Sequence, residues 1–210
     1  MSTELRTHRG RRTRAAIDAA ARTVVARKGI LATTIADIAA EADRSAASFY
    51  NYYESKEAMV RQWALRFRDE ANERARSVTR HGLSNRERAQ EAAAAHWHTY
   101  RNRLAEIISV SQLAMVNDDF AQYWAEICAI PASFIAETVR RAQAEGYCPD
   151  DDPQLIAEAI VAMFNQFCYI RLSGSRRGAD EDDPPDEAAC IQTLANIYYR
   201  AIYVREREPN

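Results

Sequence analysis

Residues 33–59, TTIADIAAEADRSAASFYNYYESKEAM, contain two short helical patterns separated by Ala42-Asp43-Arg44. Thr34 is placed to cap the first helix, and Asp37 three residues later gives an acidic variant of the capping box. Ser45 is placed to cap the second helix. A shared apolar face is formed by Ile35, Ile38, Ala39 and Phe49. These features predict a helix-turn-helix, whose second helix enters the major groove of DNA by its N-terminal end.

The outward face of the second short helix consists of small and polar side chains. Small side chains let a helix backbone approach base edges, while serine hydroxyls and alanine methyls can meet donors, acceptors and thymine methyls. The residues expected to face bases are Ser45, Ala46, Ala47, Ser48 and Asn51.

Charge is unevenly distributed along a chain whose net charge is −2. Residues 1–80 carry six more basic than acidic residues, and residues 81–210 carry eight more acidic than basic ones. The basic N-terminal region predicts a polyanion-binding module, with a chance imbalance of charge on solvated faces as the alternative.

The Arg-rich N-terminus has no apolar run, and no stretch approaches the ~18 uninterrupted apolar residues of a membrane span. We therefore expect a cytoplasmic protein.

The cysteines are spread through the C-terminal half, with no CxxC pair among them. Nothing indicates disulfides, and we expect reduced core or pocket residues, with a thiol sensor as the alternative. These residues are Cys128, Cys148, Cys168 and Cys190.

Apolar residues recur at helical spacing along the rest of the chain, which predicts an all-α fold of about nine helices. Gly29 should end the first helix because glycine tolerates positive φ, and Pro131 should kink a later one. A polar, acidic segment over 173–185 is expected to be a mobile loop. Beside the two short helices, helices are predicted over about 11–28, 56–80, from 85, and over 104–116, 119–145, 153–172 and 186–206.

An ordered string of residues between about 10 and 65 resembles the tetracycline-repressor (TetR) family of bacterial regulators; beyond it, only the pattern of helices does. The string comprises Arg14, Ala20, Gly29, Thr33-Thr34, Ile38-Ala39, Ala42, Ser45, Phe49-Tyr50-Asn51-Tyr52-Tyr53 and Ser55-Lys56-Glu57. The resemblance implies a helix-turn-helix domain over residues 1–54 and a ligand-binding and dimerisation domain over residues 55–210. It implies a transcriptional regulator, usually a repressor, that needs no cofactor or metal.

The resemblance also implies which residues contact the DNA backbone. These are Thr34, Arg44, Tyr50, Tyr52 and Lys56, with ordinary packing as the alternative for the two tyrosines. An N-terminal arm of Arg6, Arg9, Arg11, Arg12 and Arg14 could bind phosphates or the minor groove, or remain a solvated tail.

Four positions depart from the family pattern. Asp43-Arg44 stands where Gly-Val is usual, and Asp tolerates left-handed backbone better than most residues. Arg44 lacks the apolar contact that the usual valine makes at this position, but its side chain could reach a phosphate or a base. Ala46 replaces a frequent basic residue, so one phosphate contact is expected to be missing. Tyr53 stands at a usual phenylalanine position and is expected to pack in the core.

TetR-like proteins pair through their last two long helices, which implies a homodimer that reads a pseudo-palindromic operator. The interface residues expected are Leu155, Ile156, Ile160, Ile191, Leu194, Tyr198 and Ile202. The same resemblance implies a site for a hydrophobic effector whose binding weakens the grip on DNA. Its expected lining is Trp97, Tyr100, Ile108, Met115, Tyr123, Trp124, Ile127, Phe134, Met163, Phe164 and Phe167, with polar points at His96, His98, Asn117, Asn165 and Gln166.

Two other classes of function compete with this interpretation. An enzyme is disfavoured because the sequence has no Gly-rich phosphate loop, GxSxG or HExxH, and the imidazoles of His96 and His98 would point about 200° apart on a helix. A DNA-binding dimer without a small-molecule effector, controlled by a partner protein or constitutively bound, remains the alternative.

Overall fold

A computed structural model describes residues 2–77, 82–148, 150–174 and 186–203, with side chains for 10–71, 82–148, 150–173 and 186–203. Within these residues the chain forms nine α-helices and no strand, which confirms the all-α prediction. The helices are α1 (Ser2–Lys28), α2 (Ile35–Glu41), α3 (Ala46–Tyr50), α4 (Lys56–Ser77), α5 (Asn85–Asn102), α6 (Leu104–Ala114), α7 (Asp118–Ala144), α8 (Pro153–Gly174) and α9 (Glu187–Ile202).

The chain divides into two compact units. Unit 1 contains Met1–Phe67 and Leu104–Trp124, and unit 2 contains Arg68–Arg103 and Ala125–Asn210. The division falls within α4 and within α7. The boundary after residue 54 that the sequence indicates stays a prediction.

Unit 1 is built around α1, which packs against α2 and α6, while α2 packs against α3. Arg22 of α1 pairs with the buried Glu106 of α6 at 2.7 Å, and its guanidinium lies over the Trp63 ring. α1 ends at Gly29, whose φ of +78° confirms the predicted left-handed termination. A Cβ at this glycine would lie 2.7 Å from Oε1 of Gln112, so the Gln112 side chain, which accepts from Ile30 N, would have to move.

Unit 2 is centred on α5, which packs against α8 and α9. Ser84 and Asp186 cap α5 and α9 by accepting a backbone N–H three residues on. Pro153 is the first residue of α8, where its missing N–H leaves no hydrogen bond unmade. The side chains most deeply buried here include Trp97, Leu194 and Ile202.

Several predicted helix limits were wrong. α1 begins at Ser2 rather than near Arg11, because the basic N-terminal residues are good helix formers and no proline interrupts them. α9 ends at Ile202 rather than near residue 206, with Tyr203 as its C-cap. α6 ends at Ala114 rather than at Val116. Most of the loop expected over 173–185 lies outside the described residues, and Pro131 lies inside α7, where its kink stays a prediction.

One described helix is long and apolar enough to cross a membrane by length and composition. It covers Pro153–Ser173 within α8, with a mean hydropathy of 1.4, and 28% of that window is buried. Core helices of other proteins have the same length and composition.

Candidate functional site

The first helix of the helix-turn-helix, α2, starts with the predicted capping box. The Thr34 hydroxyl accepts from Asp37 N at 3.1 Å, and Thr34 N donates to the Asp37 carboxylate at 2.8 Å. Lys28 pairs with the same carboxylate at 2.6 Å, and together with Thr34 it holds the pKa of Asp37 well below its usual range. The Thr34 hydroxyl also donates to Asp37, so its own proton is already used within the protein.

The turn between α2 and α3 depends on a left-handed residue. Asp43 has φ of +50°, as the sequence predicts. Asp43 N donates to Ala40 O at 3.1 Å and Arg44 N donates to Ala39 O at 2.9 Å, the two hydrogen bonds of a Schellman motif. Asp43 thus takes the role that glycine has in most such turns.

The second helix, α3, has one buried side chain, Phe49, and an open outer side. Ser45 caps it by accepting from Ser48 N at 3.2 Å, which confirms the predicted start of the helix. Ser45, Ala46, Ala47 and Asn51 are exposed and Ser48 is half-buried. No base is present, so their readout of DNA stays a prediction.

The residues expected on the DNA backbone differ in their surroundings. Tyr50 is 57% exposed, with its ring edge-on to Phe49. Tyr52 is half-buried, and its hydroxyl lies near Gly10 of α1. Arg44 is exposed and donates to the carbonyl of Asp43 at 2.6 Å. All three remain candidates.

Lys56, whose phosphate contact stays a prediction, has its ammonium bound within its own chain. Its ammonium donates to the carbonyl oxygens of Ile30 and Thr33, each at 2.9 Å, and lies 3.4 Å from that of Leu31. An ammonium has three N–H donors, and three carbonyl oxygens face them here. Lys56 therefore holds the loop between α1 and α2, a structural role that the family resemblance did not indicate.

A buried polar cluster adjoins α3, and sequence reasoning missed its centre, Asp18. The Asp18 carboxylate accepts from the Tyr53 hydroxyl at 2.7 Å and from Trp63 Nε1 at 3.2 Å. Arg14 donates to the Tyr53 hydroxyl at 3.2 Å and to Gln62, which removes Arg14 from the proposed arm. Tyr53 is buried as predicted, and burial raises its pKa. The only sequence signal was an acidic residue beside the buried face of α1.

In the predicted N-terminal arm, Arg11 and Arg12 are exposed, and the side chains of Arg6 and Arg9 lie outside the described residues.

The residues expected to line a ligand site are divided between the two units. Ile108, Met115, Tyr123 and Trp124 belong to unit 1, and the other seven belong to unit 2. Met115 is 81% exposed because it follows the end of α6, and Phe134 is also exposed, so neither lines an interior surface. Asn117 accepts from Phe120 N and caps the start of α7, and Gln166 is exposed, so these two are corrected as well.

Within unit 2, an aromatic and thiol cluster surrounds His96. The His96 ring lies 6.0 Å from Tyr100 and 5.2 Å from Phe164, edge-on to the latter. Asn165 donates to Cys128 Sγ at 3.5 Å and also interacts with His96. Trp97 and Phe167 contact each other nearby, whereas His98 faces Glu187. Two of the five polar points that the sequence indicated, His96 and Asn165, therefore lie together.

Burial controls the protonation of this cluster. It lowers the pKa of His96 to about 4, which outweighs the opposite effect of Asn165, and it raises the pKa of Cys128 to about 11 and of Cys168 to about 12. His96 Nε2 is buried without a hydrogen-bond partner. The cluster is therefore uncharged near neutral pH, and the high pKa of these thiols argues against a thiol sensor here.

The predicted dimer face is only partly exposed. Ile160, Ile191, Leu194, Tyr198 and Ile202 are buried in the core of their own unit, so they are corrected to core residues. Ile156 is half-buried, and Leu155 is 67% exposed. A second, exposed stripe of small and apolar residues, interrupted by Gln166 and Thr193, follows other positions of the two helices. We call it the α8/α9 stripe: Leu155, Ala159, Ala162, Gln166 and Ile170 on α8, and Ala189, Thr193, Ile197 and Ala201 on α9.

Residues 17–62 match the family model described as "Bacterial regulatory proteins, tetR family". No curated protein matches the chain. Solved structures with the same fold include a bacterial regulatory protein of the tetR family from Rhodococcus RHA1, with 19% identity, a TM-score of 0.69, and coverage of 92% of this chain and 98% of the other. The fatty acid degradation regulator FadR from Bacillus halodurans has 16% identity, a TM-score of 0.63 and coverage of 92% and 97%. GusR of Salmonella enterica has 19% identity, a TM-score of 0.62 and coverage of 91% and 96%.

The capped α2, the Schellman turn and the open face of α3 define a helix-turn-helix DNA-binding protein. Residues 17–62, which run from within α1 to the early part of α4, are similar to the bacterial regulatory proteins of the tetR family.

Proposed function

We propose that the protein binds a pseudo-palindromic operator as a homodimer, represses transcription there, and leaves the DNA when an uncharged hydrophobic ligand binds. The observation that carries the DNA part is α3, which presents small and hydroxyl side chains outward on a helix anchored by Phe49. Such a helix can approach base edges closely. We place this activity in the cytoplasm, where bacterial DNA is accessible. Regulation of this kind works by binding alone and requires no catalytic residue.

The test is to select duplexes from a random-sequence library with the full-length protein. The wild type should enrich a two-fold symmetric sequence. The variants Ser48→Ala and Asn51→Ala should each enrich a sequence that differs from the wild-type sequence, with the same change in both half-sites. This is expected because both residues are proposed to face bases. Ala36→Ser, an exposed change on α2, should leave the enriched sequence unaltered. No enrichment with the wild type would contradict the proposal.

Dimerisation is supported by the α8/α9 stripe. Its small residues at spacings of three or four allow close approach of a second helix, and Leu155, Ile170 and Ile197 supply apolar anchors. Glu158 and Arg171 are exposed on the same helix and would be costly in a bilayer. A second subunit is thus a better cover for this face than lipid.

The ligand class is supported by the cluster around His96. A buried imidazole nitrogen without a partner is costly unless a ligand or water satisfies it. The neighbours Tyr100, Phe164, Asn165 and Cys128 carry no charge at neutral pH, so an apolar molecule with one uncharged hydrogen-bonding group fits best.

A thermal-shift comparison separates this proposal from an effector-free regulator. Neutral, anionic and cationic hydrophobic compounds of matched size should be screened, and the neutral members should raise the Tm. If no compound stabilises a protein that still binds its selected duplex, control by a partner protein or constitutive binding is favoured instead.

A further inference from the structure

The carboxylate of Asp18 belongs to the buried polar cluster beside α3, and the residue is only 8% exposed. One oxygen, Oδ1, accepts both the Tyr53 hydroxyl at 2.7 Å and the Trp63 indole N–H at 3.2 Å. Its other oxygen, Oδ2, lies 4.0 Å from Arg66. Burying a carboxylate is unfavourable unless its partners are held in place. These contacts therefore join α1, α4 and Tyr53, which lies three residues beyond the end of α3.

Tyr53 is connected to α3 in two ways. Its backbone N–H donates to Phe49 O at 3.1 Å, and its ring packs against the Phe49 ring with centroids 5.6 Å apart. Phe49 is the buried anchor of α3. Both the backbone and the ring of Tyr53 therefore contact the residue that anchors α3.

The Tyr53 hydroxyl is used in both directions. It donates to Asp18 and accepts from Arg14 Nε at 3.2 Å. A phenylalanine would fill the same apolar space but could make neither hydrogen bond. Because hydrogen bonds are directional and apolar packing is not, the hydroxyl adds an orientation that ring burial alone does not supply.

We propose that the Tyr53 hydroxyl, held between Asp18 and Arg14, is a positioning group that sets the orientation of α3 and thereby the sequence specificity of DNA binding. α3 has only five residues and one buried side chain, so its own packing fixes its direction weakly. This inference rests on the proposed reading of bases by α3. It assigns no DNA contact to Tyr53, which acts only through α3.

The test compares wild type and Tyr53→Phe on two duplexes: the one selected from the random library, and a scrambled duplex of equal length and composition. Tyr53→Phe removes both hydrogen bonds of the hydroxyl and should lower affinity for the selected duplex by about tenfold, while changing affinity for the scrambled duplex by less than about twofold. A merely structural role would lower both affinities together with the Tm.

A second pair of variants keeps the test decisive if Tyr53→Phe lowers stability. Asp18→Asn retains an acceptor oxygen for the hydroxyl and should keep most of the discrimination, whereas Asp18→Leu should lose it. Tyr199→Phe, a hydroxyl deletion in unit 2, is the matched control and should behave as wild type.

Equal discrimination by wild type and Tyr53→Phe would overturn the inference while leaving the proposed function intact. A proportional loss on both duplexes would also overturn it. If the wild type itself cannot distinguish the two duplexes, the proposed function fails, and this inference with it.

Discussion

Asp43 and Lys56 show how single residues can keep or change the role that a family pattern implies. Asp43 adopts the left-handed backbone that the turn requires, which the known tolerance of aspartate predicts. Lys56 instead uses its ammonium on three carbonyl oxygens of its own chain. The left-handed backbone of Asp43 can be predicted from the local sequence, because backbone preference is a local property. The second depends on where the loop 29–33 lies in space, which spacing alone does not give.

Lys56 and Arg44 are therefore predicted to respond differently to neutralisation. Arg44→Gln should reduce the slope of log affinity against log salt by ~0.9 for each phosphate that the side chain no longer neutralises, since fewer counterions are released. Lys56→Gln should leave that slope unchanged but lower the free energy of unfolding by about 2 kcal/mol, because it removes charge-assisted hydrogen bonds. Salt titrations of DNA binding and urea unfolding measure the two effects. A lower salt slope in Lys56→Gln, with unchanged stability, would restore Lys56 to the DNA backbone.

His96 should make stability depend on pH. Its pKa in the folded protein is about 4, compared with 6.5 for an unperturbed histidine, because burial disfavours the charged ring. The unfolded chain therefore binds more protons between these values, so this stabilisation is complete above pH 6.5 and is lost as the pH falls towards 4. Between pH 7 and pH 5 the loss should be about 2 kcal/mol.

Urea unfolding of wild type and His96→Phe at both pH values checks this. The variant should lose less stability on acidification, and His98→Phe, a half-exposed neighbour, should behave as wild type. Parallel pH dependences for wild type and His96→Phe would show that His96 is not the titrating group.

Local sequence signals predicted some helix limits and buried helix faces better than others. The caps at Thr34 and Ser45 were predictable, because each is a hydroxyl residue at the start of an apolar periodic run. The start of α1 was not, because an Arg-rich segment without proline is compatible with helix and with coil. The predicted dimer faces of α8 and α9 include five residues that are buried in their own unit, since both sides of these helices carry apolar residues. Periodicity identifies a helix but does not say which of two apolar sides faces its own core.

The exposed sides of α8 and α9 carry a prediction about assembly. Leu155→Glu combined with Ile197→Glu should weaken the homodimer by about a hundredfold, because burying the new charges is unfavourable. Sedimentation velocity over a concentration series measures this. Val116→Glu, which places the same charge at an exposed apolar position in unit 1, should leave the dimer intact. A double variant that dimerises like wild type would mean that another face pairs the subunits.

At the scale of the whole molecule, two compact units carry the two proposed parts of the activity. Unit 1 contains the helix-turn-helix with the Asp18 cluster, and unit 2 contains the uncharged cluster around His96 and the α8/α9 stripe. The helix-turn-helix and its resemblance to the tetR family followed from sequence because they depend on one contiguous stretch. The ligand residues did not, because they come from separate helices whose facing sides only the fold reveals. Coupling between DNA and ligand then requires two states that each partner favours differently.

The central claim is that two copies of α3 read one operator together. The most direct measurement is native mass spectrometry of the shortest selected duplex that retains full affinity, with a duplex carrying one half-site as its comparison. We expect two chains per duplex, half-sites whose centres lie about 34 Å apart, and a loss of at least about a hundredfold on the single half-site. One chain per duplex, with undiminished affinity for the half-site, would contradict the account.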